Sequence, residues 1–212
     1  MLIVMTSSLP LVERKRRQAR QRIIQAAQEL FLERGFDGVS VGDIAERAEV
    51  GRTTFFRYFG DKQEVVFAEE QELLETIAAA GQAEGTAAAR SATEAVEQLR
   101  PIVLALCAQA ASDPEAYGRH FHLIEQHPEL RARDAVKMQQ IADKLSDLLI
   151  HRGSDEATAL FAAQIALACY QTARRLGNNP HTLVGETRAA FRRALTLGTG
   201  AAETQAEPPA SE

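Results

Sequence analysis

Five side chains within residues 52–59 suit the reading of base edges: Arg52, Thr53, Thr54, Phe56 and Arg57. A guanidinium forks onto the two acceptors of a guanine edge, and a threonine methyl meets the methyl of thymine. Tyr58 and Lys62, four residues apart, add a hydroxyl and an ammonium suited to phosphate oxygens. Upstream, Arg14, Lys15, Arg16, Arg17, Arg20 and Arg22 are opposed only by Glu13. Such a run either tracks phosphates, reaches an adjacent minor groove as a mobile arm, or is a solvated helix face.

The chain as a whole has 212 residues and a formal charge of −5, which speaks against a polyanionic partner until the charge is located. Residues 1–62 hold eleven Lys/Arg against eight Asp/Glu, a balance of +3, and residues 63–212 hold thirteen against twenty-one, a balance of −8. A basic module fused to an acidic body is the implied organisation.

These side chains need elements to carry them, and the pattern is all-α. Tryptophan is absent, alanine abundant, and apolar residues recur at helical spacing (Ile23, Ala27, Leu30, Phe31). The spacing predicts a first helix over 13–34 stopped by Gly35, and a short second helix over 41–48 capped by Ser40 with Asp43. A third follows over 52–59, and a long fourth to about 79 with Asp61 and Glu64 as its capping pair. Two short helices joined by a tight turn fit a helix-turn-helix, whose second helix enters the major groove. Ala45 and Ala48 allow a close crossing, Val50 plugs the turn, and Phe55 and Phe59 are the expected buried anchors.

Further helices are predicted over 93–111 (kinked at Pro101), 114–127, 128–152, 155–176 with Ser154 as cap, and 183–197. Residues 80–92 read as a loop and 198–212 as a disordered tail. The expected domains are 13–62 for DNA binding and 63–197 for a helical body.

The stretch Val39-Ser-Val-Gly-Asp-Ile-Ala-Glu-Arg-Ala-Glu-Val-Gly-Arg-Thr-Thr-Phe-Phe-Arg-Tyr-Phe-Gly-Asp-Lys resembles the DNA-binding domain of the tetracycline-repressor (TetR) family. The segment over 26–36 resembles that family's first helix. The resemblance covers about residues 17–70. It implies a chain of about nine helices acting as a homodimer, helices one to three binding operator DNA and the rest binding a small ligand and dimerising. Members are usually repressors released by that ligand. Carried over by position, Arg52, Thr53, Thr54 and Phe56 read bases, while Ser40, Tyr58 and Lys62 face phosphate. Three positions depart from the family pattern. Gly42 stands where many members place a polar side chain that reaches DNA, Glu49 replaces the common turn glycine, and Phe56 replaces a tyrosine.

In the body, Cys107, Phe121, Tyr170 and Gln171 are candidates for lining a mostly apolar pocket. Alanines recur throughout 155–176, and the resemblance places this helix and 183–197 in a dimer interface with Phe161, Ala162, Ala166, Phe191 and Leu195; an ordinary internal core is the competing reading. His120 and His122 point to nearly opposite sides of a helix, so no metal site is expected from them. No cofactor is expected, and no convergent acid, base or nucleophile set suggests an enzyme. The absence of a signal peptide or long apolar run predicts a cytoplasmic protein without a membrane partner, and Cys107 and Cys169 are expected as buried thiols. The alternative function is a dimerising adaptor or nucleoid-type protein without operator specificity.

Overall fold

The computed structural model describes residues 11–68, 73, 77 and 87–197. The expected tail over 198–212, residues 80–86 of the expected loop and most of the fourth helix beyond Ala68 lie outside the described residues. Among the described residues the chain is helical and contains no strand. It divides into two compact units, Met1–Gln71 and Glu72–Glu212.

In the first unit, α1 (Leu11–Arg34) buries Ile23, Ile24, Ala26, Ala27 and Leu30. Gly35, at φ +72°, ends it in a left-handed conformation that glycine adopts without steric cost. The second helix, α2 (Val41–Arg47), starts at a reciprocal cap: the Ser40 side chain accepts from the Asp43 N–H, and the Asp43 carboxylate accepts from the Ser40 N–H at 2.8 Å. Arg47 pins it to α1, forking onto Glu33 at 2.9 and 3.0 Å and reaching Glu29 at 3.3 Å. After the turn comes α3 (Arg52–Tyr58), and then α4 (Lys62–Val66), whose first turn is capped by Asp61 accepting from the Glu64 N–H at 2.8 Å. Ile23, Leu30, Ile44, Phe55 and Phe59 form one core with Ala45, Ala48 and Val65, and Val50 packs against its edge. Each large side chain buried there contributes about 1.5–3 kcal/mol.

In the second unit, α5 (Ala92–Ala110), α6 (Pro114–Gln126), α7 (Pro128–His151), α8 (Glu156–Arg175) and α9 (Leu183–Thr196) pack around α8, which touches α5, α7 and α9. Pro101 lies inside α5, and Pro114 and Pro128 open α6 and α7, where a missing N–H costs no helical bond. The central position of α8 follows from its side chains. Ala159, Ala162, Ala163, Ala166, Cys169 and Ala173 are all buried, so three neighbours approach its backbone closely. Leu99, Leu145, Leu149, Leu183 and Phe191 fill the surrounding space.

The cap of α8 is Asp155, accepting from the Thr158 N–H at 2.9 Å, and not Ser154. Ser154 is instead buried and accepts from the Ala89 N–H at 3.1 Å, which ties the start of the unit to the α7–α8 turn. Among the described residues no helix is long and apolar enough to cross a membrane.

Candidate nucleic-acid interface

The side chains of α3 separate by face. Phe55 and Phe59 are buried at 0% and 5% exposure, whereas Arg52, Thr53, Phe56 and Arg57 are exposed and Thr54 and Tyr58 are half-buried. Phe56 stays 54% exposed, its ring edge-on to Phe55 with centroids 5.6 Å apart. Two guanidinium groups, the Thr53 hydroxyl and methyl, and one ring thus face outward from a helix anchored by two phenylalanines, as groove reading requires. Arg57 lies over the Tyr58 ring at 5.5 Å.

The turn before α3 closes by backbone bonds from the Ala48 N–H to the Ile44 carbonyl and from the Val50 N–H to the Ala45 carbonyl, both 2.9 Å. Glu49 sits between them at φ +54°. This is a left-handed position where the side chain of any residue but glycine crowds the backbone. The Glu49 carboxylate lies 3.7 Å from Arg22, an exposed pair. A shallow groove of about 370 Å³ runs between the first turn of α2 and the start of α3, bordered by Gly42, Asp43, Glu46 and Arg52.

Several predicted phosphate contacts are placed differently. The Lys62 ammonium turns inward, donating to the Phe36 carbonyl at 2.8 Å and the Val39 carbonyl at 3.0 Å, and lies 4.2 Å from the Phe36 ring centre. Its observed role is therefore to hold the α1–α2 connection, because two backbone carbonyls and a ring face lie within reach of its stem. The Ser40 hydroxyl remains at the surface but donates to the Asp43 carboxylate as part of the helix cap. That bond, with Arg34 at 3.6 Å, holds the Asp43 carboxyl below its ordinary range. From the basic run, Arg20 bonds the Ala68 carbonyl at 2.6 Å and covers the Phe59 ring at 5.6 Å. Arg14, Lys15, Arg16 and Arg17 are exposed.

In the body, two of the four pocket candidates, Phe121 and Tyr170, lie around a residue the sequence did not single out. Arg174 Nη1 donates to both Asp134 carboxylate oxygens, at 3.1 and 3.2 Å, with both side chains largely buried, and its guanidinium lies 4.2 Å from the Phe121 ring centre and 5.7 Å from that of Tyr170. The Tyr117 ring lies tilted against that of Phe121, with centroids 4.5 Å apart, and Tyr117 donates to the Asn178 side-chain oxygen at 2.7 Å. Burial pushes the Tyr117 phenol up to about 12 and holds the Tyr170 phenol protonated far above its ordinary value. The Cys107 thiol, also raised by burial to about 11, meets the Thr187 hydroxyl at 3.6 Å. Gln171 is half-buried. His120 packs edge-on against Phe121, while His122 is exposed and bonds Gln126, so the two are not brought together.

Of the predicted interface residues, Phe161 is 57% exposed and Leu195 half-buried. Ala162, Ala166 and Phe191 are corrected to core: each is at 0% exposure inside the unit, because the alanine face of α8 is already covered by its neighbours within the chain. The outward row of α8 is Ala157, Leu160, Phe161, Gln164 and Ala168.

An exposed helix that follows a tight turn and is anchored by Phe55 and Phe59 has the geometry of a helix-turn-helix. Comparison with known proteins agrees. The family model described as "Bacterial regulatory proteins, tetR family" matches residues 23–68. The regulator TcmR of Streptomyces glaucescens is 47% identical over 53 residues, 25% of this chain and about a quarter (24%) of that protein's length. The putative mycofactocin biosynthesis transcriptional regulator MftR of Mycobacterium tuberculosis is 26% identical over 73% of this chain and 76% of its own. Among solved structures, the repressor FadR of Thermus thermophilus, in complex with lauroyl-CoA, superposes with a TM-score of 0.55 and 25% identity over 91% of this chain and 99% of its own. Residues 23–68 thus match the DNA-binding domain of TetR-family regulators, and over most of its length the chain is similar to regulators of that family.

Proposed function

We propose that this chain is a homodimeric repressor that lays α3 of each protomer into successive major grooves of a palindromic operator and leaves it when a small, mostly apolar ligand binds the helical body. Such a regulator works on the chromosome in the cytoplasm. The observation that carries the reading is the outward set Arg52, Thr53, Phe56 and Arg57 on a helix anchored by Phe55 and Phe59. Half-sites are then about 34–36 Å apart, or a multiple of that. The exposed apolar side chains Leu160 and Phe161 on α8 support a second copy as the partner of that face. An acyl thioester is one ligand class to test first, since the similar FadR was solved with lauroyl-CoA. An adaptor without operator specificity is not favoured, because the base-reading face is exposed and intact.

A salt titration of binding to a selected duplex tests the DNA end. Affinity is expected to fall steeply with salt, and neutralising Arg14, Lys15, Arg16 and Arg17 to Gln flattens the log–log slope by up to about four units per protomer. Equal affinity for selected and scrambled duplexes would sink the operator reading. For the ligand end, lauroyl-CoA that releases the duplex must itself bind more weakly to the DNA-bound protein, by the same factor, corresponding to a coupling of about 1–3 kcal/mol. A ligand whose affinity ignores saturating operator would refute induction.

A further inference from the structure

The missing side chain at position 42 decides where Arg52 lies. A Cβ placed on Gly42 would stand 2.5 Å from Arg52 Nη2 and 3.3 Å from Cζ and Nε, well inside ordinary contact distance. The guanidinium of the first residue of α3 is therefore packed onto the first turn of α2, across the groove between them. The backbone gives no reason for glycine here. Gly42 is the second residue of a seven-residue helix and lacks the positive φ seen at Gly35, Gly153 and Gly177. Glycine is a poor helix former, and in so short a helix its cost is felt. Its consequence in the structure is the seat it leaves for Arg52.

Free space, and not charge pairing, lets Arg52 lie there. Asp43 and Glu46 border the same groove, yet Arg52 forms no salt bridge among the described residues, and Asp43 is engaged by Ser40 and Arg34. The donors of Arg52 are not paired with another described residue, and with no side chain at position 42 its guanidinium can lie against α2 instead of projecting from α3 alone. We infer that Gly42 is a specificity-determining residue: it seats the Arg52 guanidinium at the junction of α2 and α3 and so fixes which base pair Arg52 reads. The inference rests on the reading of α3 as the groove helix. It also accounts for the departure at position 42: Arg52 takes the place that a polar side chain from α2 would otherwise fill.

The experiment selects duplexes from a randomised pool with the full chain, comparing wild type, Gly42→Ala, Arg52→Ala and the double variant. Gly42→Ala displaces only the end of a flexible side chain, so its melting temperature is expected to equal or exceed that of wild type, with an unchanged salt slope. Its preference at one base pair should fall about ten-fold or move to another base, the scale of one bidentate arginine–base contact. In the Arg52→Ala background the same substitution should change preference less than two-fold. Gly42→Ser carries the same Cβ and should behave alike. A Gly42→Ala profile identical to wild type overturns the inference, as does a Gly42→Ala effect of equal size with and without Arg52. Should wild type select no sequence at all, the operator reading falls and this inference with it. If a sequence is selected that neither substitution alters, the inference alone falls.

Discussion

Lys62→Met separates two roles for one ammonium. As a phosphate clamp, Lys62 would contribute to the salt dependence of binding and little to stability. The structure gives the opposite expectation, because its donors are directed at the Phe36 and Val39 carbonyls, 2.8 and 3.0 Å away, with the Phe36 ring beneath. Methionine keeps the apolar stem and removes both bonds and the ring contact. Hydrogen bonds to a charged group are worth about 1.5–3 kcal/mol each, but these are half-buried and the released carbonyls regain water, so a net loss of about 2 kcal/mol is expected. For a unit of this size, about 4–8 °C per kcal/mol gives a melting transition lowered by roughly 8–16 °C. Hydrogen exchange should quicken at the Val39 amide, which bonds the Phe36 carbonyl at 3.3 Å. Below the transition, the slope of log affinity against log salt should equal that of wild type. A slope flattened by about one unit per protomer, with melting within about 2 °C of wild type, would refute the reasoning and restore the phosphate contact.

Glu49→Gly relieves a left-handed residue at φ +54° and should raise the denaturant midpoint by the equivalent of about 1 kcal/mol; a lowered midpoint would mean the turn is not strained. Asp134→Ala strands the Arg174 guanidinium among Phe121 and Tyr170 and should destabilise the body by about 3 kcal/mol, whereas Asp134→Ala with Arg174→Ala should cost well under the sum of the two single changes. Strict additivity in that cycle would show the pair to be uncoupled. Folded-state values above the ordinary ones mean that Cys107 and Tyr117 stabilise fully below pH 9 and 10 respectively. That stability is lost as pH rises through about 11 and 12, because burial opposes their ionisation. Chemical denaturation between pH 7 and 12 should therefore show a midpoint falling from pH 9 upward, with a shallower fall above pH 10 in Tyr117→Phe; an identical profile in that variant would remove Tyr117 from the account.

What could be read from sequence was local. The caps at Ser40 and Asp61, the stop at Gly35 and the burial of Phe55 and Phe59 under an exposed Arg52, Thr53 and Phe56 each depend on residues within a turn or two of one another. Even there, Ser154 was read as the cap of α8, whereas Asp155 beside it forms the cap and Ser154 accepts from the Ala89 N–H 65 residues away. Contacts across the chain left no such trace. Lys62 answers to backbone carbonyls 23 and 26 residues away, which any sequence would possess. Arg174 reaches Asp134 across 40 residues, and neither differs in sequence from a solvated charge at a helix end. The alanine face of α8 was legible as a close-packing surface, but whether a neighbouring helix or a second copy covers it depends on the helices around it, and α5, α7 and α9 cover it.

The same distinction changes what the basic count means. Eleven Lys/Arg in residues 1–62 suggested a broad electrostatic footprint. Five of them are engaged within the unit: Arg20 on the Ala68 carbonyl, Arg22 beside Glu49, Arg34 beside Asp43, Arg47 on Glu29 and Glu33, and Lys62 on the α1–α2 connection. Arg14, Lys15, Arg16 and Arg17 form an exposed run at the start of α1, and Arg52 and Arg57 stand on the outward face of α3. On the proposed reading, phosphate attraction and base reading fall to different segments. The run supplies charge that any duplex satisfies, whereas the α3 pair is placed by packing, Arg52 on Gly42 and Arg57 on Tyr58. Affinity and specificity are then separable by mutation: changes in the run should alter binding to all sequences alike, and changes around Gly42 should alter which sequence is chosen while leaving the salt dependence where it was.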